Sequence, residues 1–179
     1  MDKQMNKFIP LFLTFFVLPA SVSAKFYTDK VICTTQYQRD YCENYSGKPF
    51  KGKVVIKNSN GTVASKGVFK NGYRSGNSRF YDDNGVLERV SHYSGGFKNG
   101  NERWYYSNGK LRLEAKYRKG ELNGIVKSNN LEGKKNGQFY YNNGKLKRGY
   151  CIDANKKRQN LTTEQIKQQP FNTIVFCEE

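Results

Sequence analysis

Apolar and polar positions alternate along this chain in short runs, and the runs recur every 24 residues. Tyr45, Phe69, Tyr93 and Tyr117 keep that step, as do Val63, Leu87 and Leu111. Glycines mark it too: Gly52, Gly76, Gly100 and Gly124; Gly61, Gly85, Gly109 and Gly133; and Gly72, Gly96 and Gly120. Five columns in one register identify an internal repeat, which takes precedence over any other reading of the fold. After Gly124 the spacing shortens, with Gly137 only 13 residues on, and the run from Gln138 to Leu146 closes the array.

Each unit reads as a β-hairpin. Asn84-Gly85 lies between Arg79-Phe80-Tyr81 and Val86-Leu87, and Asn108-Gly109 between Trp104-Tyr105-Tyr106 and Lys110-Leu111. Asn-Gly suits the two positive-φ positions of a type I′ turn, which sets Tyr81 opposite Glu88 and Phe80 opposite Arg89. Alternation along the strands then defines two faces. One takes Phe80, Leu87, Ser91 and Tyr93, then Trp104, Leu111, Ala115 and Tyr117, with Ile56, Val63, Gly67 and Phe69 before them. The other takes Arg79, Tyr81 and His92, then Arg103, Tyr105, Arg112 and Lys116. A lone hairpin cannot bury an apolar face, so the units must stack into an elongated open sheet, an all-β fold.

The ends of the chain have a different character. Lys3 and Lys7 precede an apolar run from Phe8 to Leu18 that ends in Val22-Ser23-Ala24, the order of a secretory signal peptide. The run is too short for a membrane-spanning helix, so no transmembrane segment is expected after cleavage. The division expected is a leader over 1–24, an N-terminal cap over 25–44, hairpin repeats over 45–150 and a C-terminal cap over 151–179. Cys33 and Cys42 lie in the first cap, Cys151 and Cys177 in the second. Four cysteines allow three pairings; Cys33–Cys42 with Cys151–Cys177 is favoured because each bridge then staples one cap. An oxidising compartment preserves such bridges. An open stack exposes two strand edges, and the caps are expected to cover them. In the tail, Thr162 to Lys167 reads as a short capped helix ended by Pro170, and Thr173 to Cys177 as a strand along the last hairpin.

Composition narrows the function. Lys and Arg number 31 against 15 Asp and Glu, for a net charge of +16. The leader holds Lys3 and Lys7 against Asp2, so the 155 residues after it keep +15. That exceeds what solubility requires and attracts acidic partners. There is no serine elbow, phosphate loop or paired-carboxylate motif. The only histidine is His92, in a column with Val68 and Lys116, and no C-x-x-C pair suggests zinc. No catalysis, cofactor or metal is expected. The candidate binding residues are Arg79, Tyr81, Arg103, Tyr105, Arg112 and Lys116, because guanidinium groups beside tyrosines suit carboxylate or phosphate.

The stretches Phe69-Lys70-Asn71-Gly72 to Gly76, Phe80 to Leu87, Gly96 to Gly100 and Trp104 to Leu111 resemble the MORN-repeat family in its bacterial variant form, the group of YwqK-like antitoxins. The resemblance spans about Tyr45 to Tyr150. It implies stacked hairpins used for protein contact, membrane-related scaffolding or toxin neutralisation, here in an exported form. The partner expected is an acidic protein, such as a toxin or effector; the alternative is an anionic envelope lipid or cell-wall polymer. Nucleic acid is not expected for a periplasmic or secreted protein.

Overall fold

The computed structural model describes residues 24–27, 31–175 and 177. The expected leader lies outside them except for Ala24, which begins a strand. Among the described residues fourteen strands form one antiparallel sheet. An N-terminal group comprises β1 (Ala24–Tyr27), β2 (Val31–Gln36) and β3 (Arg39–Asn44). The stack follows as β4 (Gly52–Lys57), β5 (Val63–Lys70), β6 (Tyr73–Tyr81), β7 (Leu87–Ser94), β8 (Phe97–Tyr105) and β9 (Leu111–Arg118). It continues through β10 (Glu121–Leu122), β11 (Gly124–Asn129), β12 (Lys135–Asn142), β13 (Lys145–Ile152) and β14 (Arg158–Asn160), and the helix α1 (Thr163–Lys167) comes last. The expected all-β open sheet of stacked hairpins is the observed fold.

Two kinds of turn alternate along the stack, and they are not distributed as the sequence predicts. At Asn84-Gly85 the amide of Gly85 donates to Asp82 O at 3.0 Å and that of Asp82 to Val86 O at 2.9 Å. Of the loop residues only Gly85 has a positive φ, +80°. This is a three-residue loop, a type I turn closed by a left-handed glycine, in place of the expected type I′ turn. The cause is Asp82, whose Oδ1 accepts from the amides of Asn84 and Val86 at 2.9 and 2.8 Å; that holds Asn84 out of the left-handed region. Phe80 opposes Arg89 as expected, but the extra residue sets Tyr81 opposite Leu87, not Glu88.

Type I′ turns occur at the opposite end of the strands. Asn71-Gly72, Gly95-Gly96, Lys119-Gly120 and Asn143-Gly144 each carry two consecutive positive φ values. Their glycine amides link unit to unit: Gly72 donates to Phe50 O, Gly96 to Arg74 O, Gly120 to Lys98 O and Gly144 to Leu122 O, all at 2.8–2.9 Å. The 24-residue step therefore runs on through Gly144, with Tyr141 and Leu146 in their columns. Its single shortening falls between Leu146 and Gly149, where Gly149 pairs with Phe139. Tyr45, assigned to the aromatic column by spacing, lies beyond β3 and is 61% exposed; Tyr141 at 1% is the column's true continuation.

The flanking segments lie mainly along the ridge of type I′ turns, and among the described residues only β14, paired with β13, covers a sheet edge. Cys42 N donates to Gly72 O and Asp40 N to Gly96 O at 2.7 and 3.0 Å. Asn172 continues the line, its amide reaching Gly144 O at 2.7 Å and its Nδ2 reaching Gly120 O at 2.9 Å. The same Nδ2 lies 3.4 Å from Gln38 Oε1, so the two segments meet. Both expected disulfides are present, Cys33–Cys42 and Cys151–Cys177. Thr162 caps α1 in a reciprocal box with Gln165. The expected strand over 173–177 is absent from its described residues, 173–175 and 177. There the Tyr141 hydroxyl donates to Thr173 O and accepts from Val175 N, occupying backbone groups a ladder would need. The added strand is β14, before the helix.

The inner face is apolar at both ends and ionic in the middle. At one end Val31, Cys33 and Cys42 pack on Val54 and Phe69; at the other, Leu161, Ile166, Ile174 and Val175 pack against Leu122, Val126, Phe139, Tyr141 and Leu146. One column reads Val54, Ser78, Glu102, Val126, all buried. Arg74 crosses the inner face within 4.8–5.8 Å of the Phe69, Phe80 and Tyr93 rings. Gly67 makes room for it, since a Cβ there would meet the Arg74 guanidinium and Ser78 Oγ.

Candidate functional site: the basic outer face

The outer face is built by strand pairing. Lys66 pairs with Arg79, Arg79 with Val90, Val90 with Arg103, Arg103 with Glu114, and Glu114 with Lys127. Directly paired residues share a face, so this row crosses six strands. At about 4.8 Å per strand, Arg79 and Arg103 stand roughly 10 Å apart along it. Arg79, Lys66 and Lys127 are exposed. Neither Arg79 nor Lys127 has an ion-pair partner among the described residues.

The other expected binding residues fall around this row. Tyr81 lies under Lys66 Nζ at 5.6 Å, and Arg112 lies 5.6 Å from the Tyr106 ring. Tyr105 is half-buried, and Lys116 is exposed across from Asn101. Lys116 also lines a recess of about 420 Å³ with Asn99, Gly100, Arg118 and Gly124. Arg103 is already engaged: its Nε and Nη2 both lie 2.9 Å from Glu114 Oε1, with 49% and 28% of the two side chains exposed. An exposed pair of this kind contributes little stability, but it offsets much of the Arg103 charge. His92 is exposed and hydrogen-bonded to Asn77 at 3.0 Å. Lys66 and Lys127 belong to the same surface and escaped the sequence reading, although the 24-residue step from Arg103 points to Lys127.

The inner face holds a second cluster that the sequence reading did not single out. Glu102 Oε2 accepts from Ser91 Oγ at 2.5 Å and pairs with Lys98 Nζ at 2.6 Å, while Oε1 accepts from Trp104 Nε1 at 3.0 Å. Arg89 lies between the Phe80 and Trp104 rings at 3.9 and 4.8 Å and 3.6 Å from Glu102. Burial pushes the Glu102 carboxyl up, but Lys98, Arg89 and these hydrogen bonds outweigh it and hold it below its ordinary value. Burial draws Lys98 down despite Glu102, and raises Tyr93 and Tyr117. Alternation alone would have located Arg89, two residues from Ser91. This cluster is buried, with Arg89 Nε left without a hydrogen-bond partner among the described residues, whereas the outer row presents its charge to solvent.

Among the described residues no group of three or more His, Cys, Asp or Glu side chains could hold a metal ion, and no helix is long and apolar enough to cross a membrane.

Fold and site together define a stacked-hairpin repeat protein with one basic, tyrosine-bearing face. Two of its units match the MORN repeat variant, over residues 74–94 and 98–119. These are β6–β7 and β8–β9, the two units whose inner face is ionic. No curated protein matches the chain. Among solved structures it is similar to part of "Crystal structure of accessory secretory protein 1,2 and 3 in Streptococcus pneumoniae", at 12% identity and a TM-score of 0.20. That likeness covers 70% of this chain but only 19% of the other, and nothing is drawn from so low a score.

Proposed function

We propose that this is an exported, non-catalytic binding protein whose basic outer face engages an acidic protein, neutralising or scaffolding it as an antitoxin or immunity protein does. The observation that carries the reading is the row from Lys66 to Lys127, where four cations and one acid stand at strand spacing on a repeated surface. Such a surface attracts an extended acidic partner and engages several of its groups at once. Two disulfides fit an oxidising compartment outside the cytoplasm, which supports a periplasmic or secreted site of action.

The test is Arg79→Glu with Lys127→Glu, both exposed and without ion-pair partners among the described residues, in oxidised protein. Melting should be unchanged, and capture of a single stoichiometric protein from an envelope extract should fall at least tenfold. Capture undiminished by the double reversal would reject the outer face. Salt-sensitive sedimentation with anionic vesicles, with no protein captured at low salt, would transfer the role to a lipid or polymer surface.

A further inference from the structure

At the β12–β14 end of the outer face the row from Lys127 continues through Gln138, Tyr150 and Asn160. Here the units depart from the repeat. The one-residue shortening after Leu146 brings Tyr150 into the Arg79–Arg103–Lys127 column and sets Arg148 opposite Tyr140. The Arg148 guanidinium lies 4.9 Å from the Tyr140 ring centre, and that of Arg158 lies 4.0 Å from Tyr150. Between them is a recess of about 300 Å³ lined by Gln138, Tyr140, Arg148, Tyr150, Arg158 and Asn160.

We propose that this recess is an oxyanion pocket that takes one carboxylate- or phosphate-bearing group between Arg148 and Arg158. No acidic side chain lines it. The only acid from Lys145 to Asn160 is Asp153, which accepts from Lys157 N and Gln159 Nε2 in its own turn. Neither arginine has an ion-pair partner among the described residues. A guanidinium lying over a ring face still has donors to offer, and its planar fork matches a carboxylate or phosphate. Arg158 gives its Nε to Asn160 Oδ1 at 2.9 Å, which orients the fork and leaves the terminal nitrogens to the ligand. Lys135 adds charge 5.4 Å from the same Tyr150 ring while held at 2.7 Å by Gln138 Oε1. Two like charges converge on one concavity without a compensating acid, and a bound oxyanion resolves that arrangement. The pocket rests on the reading above only for the source of its anion, where it would anchor the partner that the Arg79–Lys127 row attracts.

The experiment titrates the full oxidised protein, isotopically labelled, with inorganic phosphate in one arm and N-acetylglutamate amide in the other, at fixed ionic strength. The Nε–Hε resonances of the arginines are followed. Arg148 and Arg158 should move together and saturate, with at least a tenfold loss of affinity in Arg148→Gln and Arg158→Gln and a smaller loss in Arg158→Lys. Saturation by the glutamate probe assigns the source to a protein carboxylate; saturation by phosphate alone assigns it to a phosphate group. Arg79→Glu alone, five strand steps from Gln138 along the row, should leave both titrations unchanged, which separates this pocket from the wider face. Unsaturable drift in both arms, or equal affinity in the glutamine variants, would overturn the pocket.

Discussion

Glu102 is 1% exposed, yet it stays charged because Lys98, Arg89, Ser91 and Trp104 converge on it. Removing one member of a buried ionic cluster leaves the others uncompensated, which costs about 3–5 kcal/mol. Glu102→Gln should therefore destabilise by about 3 kcal/mol at neutral pH. Its folded pKa lies below the ordinary value of 4.5, so its stabilisation is complete above that value and is lost as pH falls through the folded one. The gap in urea midpoint between the native protein and Glu102→Gln should narrow steadily as pH falls below 4.5. A gap unchanged at the lowest pH where both still fold would show that the carboxylate charge is irrelevant. Gly67 gives a second residue-scale prediction: Gly67→Ala should destabilise by more than 1 kcal/mol, because Arg74 must leave the site it shares with Ser78. Thermal melting decides it. Glu102 and Arg89 were poorly legible in the sequence because alternation assigns a face but does not say that charge on it will be paired. Phe80, Tyr93 and Tyr117, whose faces are apolar by type as well as by parity, were placed correctly.

At the scale of the element, the repeat exposed the hairpins but misassigned their turns. Asn-Gly is a strong type I′ signal, yet Asp82 at the head of the loop overrode it, and the type I′ turns formed at Gly95-Gly96 and its equivalents instead. The two glycine rows now make a contrast. Gly85 has φ +80° and open space around its missing Cβ, whereas Gly96 has φ +86° and a Cβ there would lie 2.8 Å from Asp40 O and 2.6 Å from Arg39 Cγ. Backbone strain alone should make Gly85→Ala cost about 1 kcal/mol. Gly96→Ala should cost at least twice as much, because it must also lift the N-terminal hairpin. Chemical denaturation of the two variants provides the comparison, and equal losses would mean that the hairpin does not bear on the turn ridge.

For the whole molecule, the period set the number and direction of the strands in the repeat stack but not β1–β3 or β14, and the cysteine positions suggested a staple at each end. The path of those ends was not legible. Backbone amides of Cys42 and Asp40, the Arg39 side chain on Gly95 O, the Asp40–Arg74 ion pair and the side chain of Asn172 dock them on the ridge, and contacts made to or by backbone leave little trace in a sequence. The consequence is an inner face sealed separately at each end. The C-terminal seal depends on the tail lying over Phe139 and Tyr141 and on Cys151–Cys177 holding it there. Gly137 shows how closely the bridge sits, since a Cβ there would collide with Cys177 Sγ. Replacing Cys151 and Cys177 by Ser releases a loop of 26 residues, which the loop-entropy relation values at about 3.5 kcal/mol. The loss should be local before it is global, because the hydrogen bonds linking unit to unit do not involve the tail. Limited proteolysis of the double-serine variant should cut first between Leu161 and Val175 and leave the preceding repeats intact, while Cys33–Cys42 persists. A dye that binds apolar surface should bind that variant, whose Phe139 and Tyr141 are uncovered, before any strand signal is lost. Simultaneous loss of tail and strands would show instead that the last unit and its seal fold as one block with the stack.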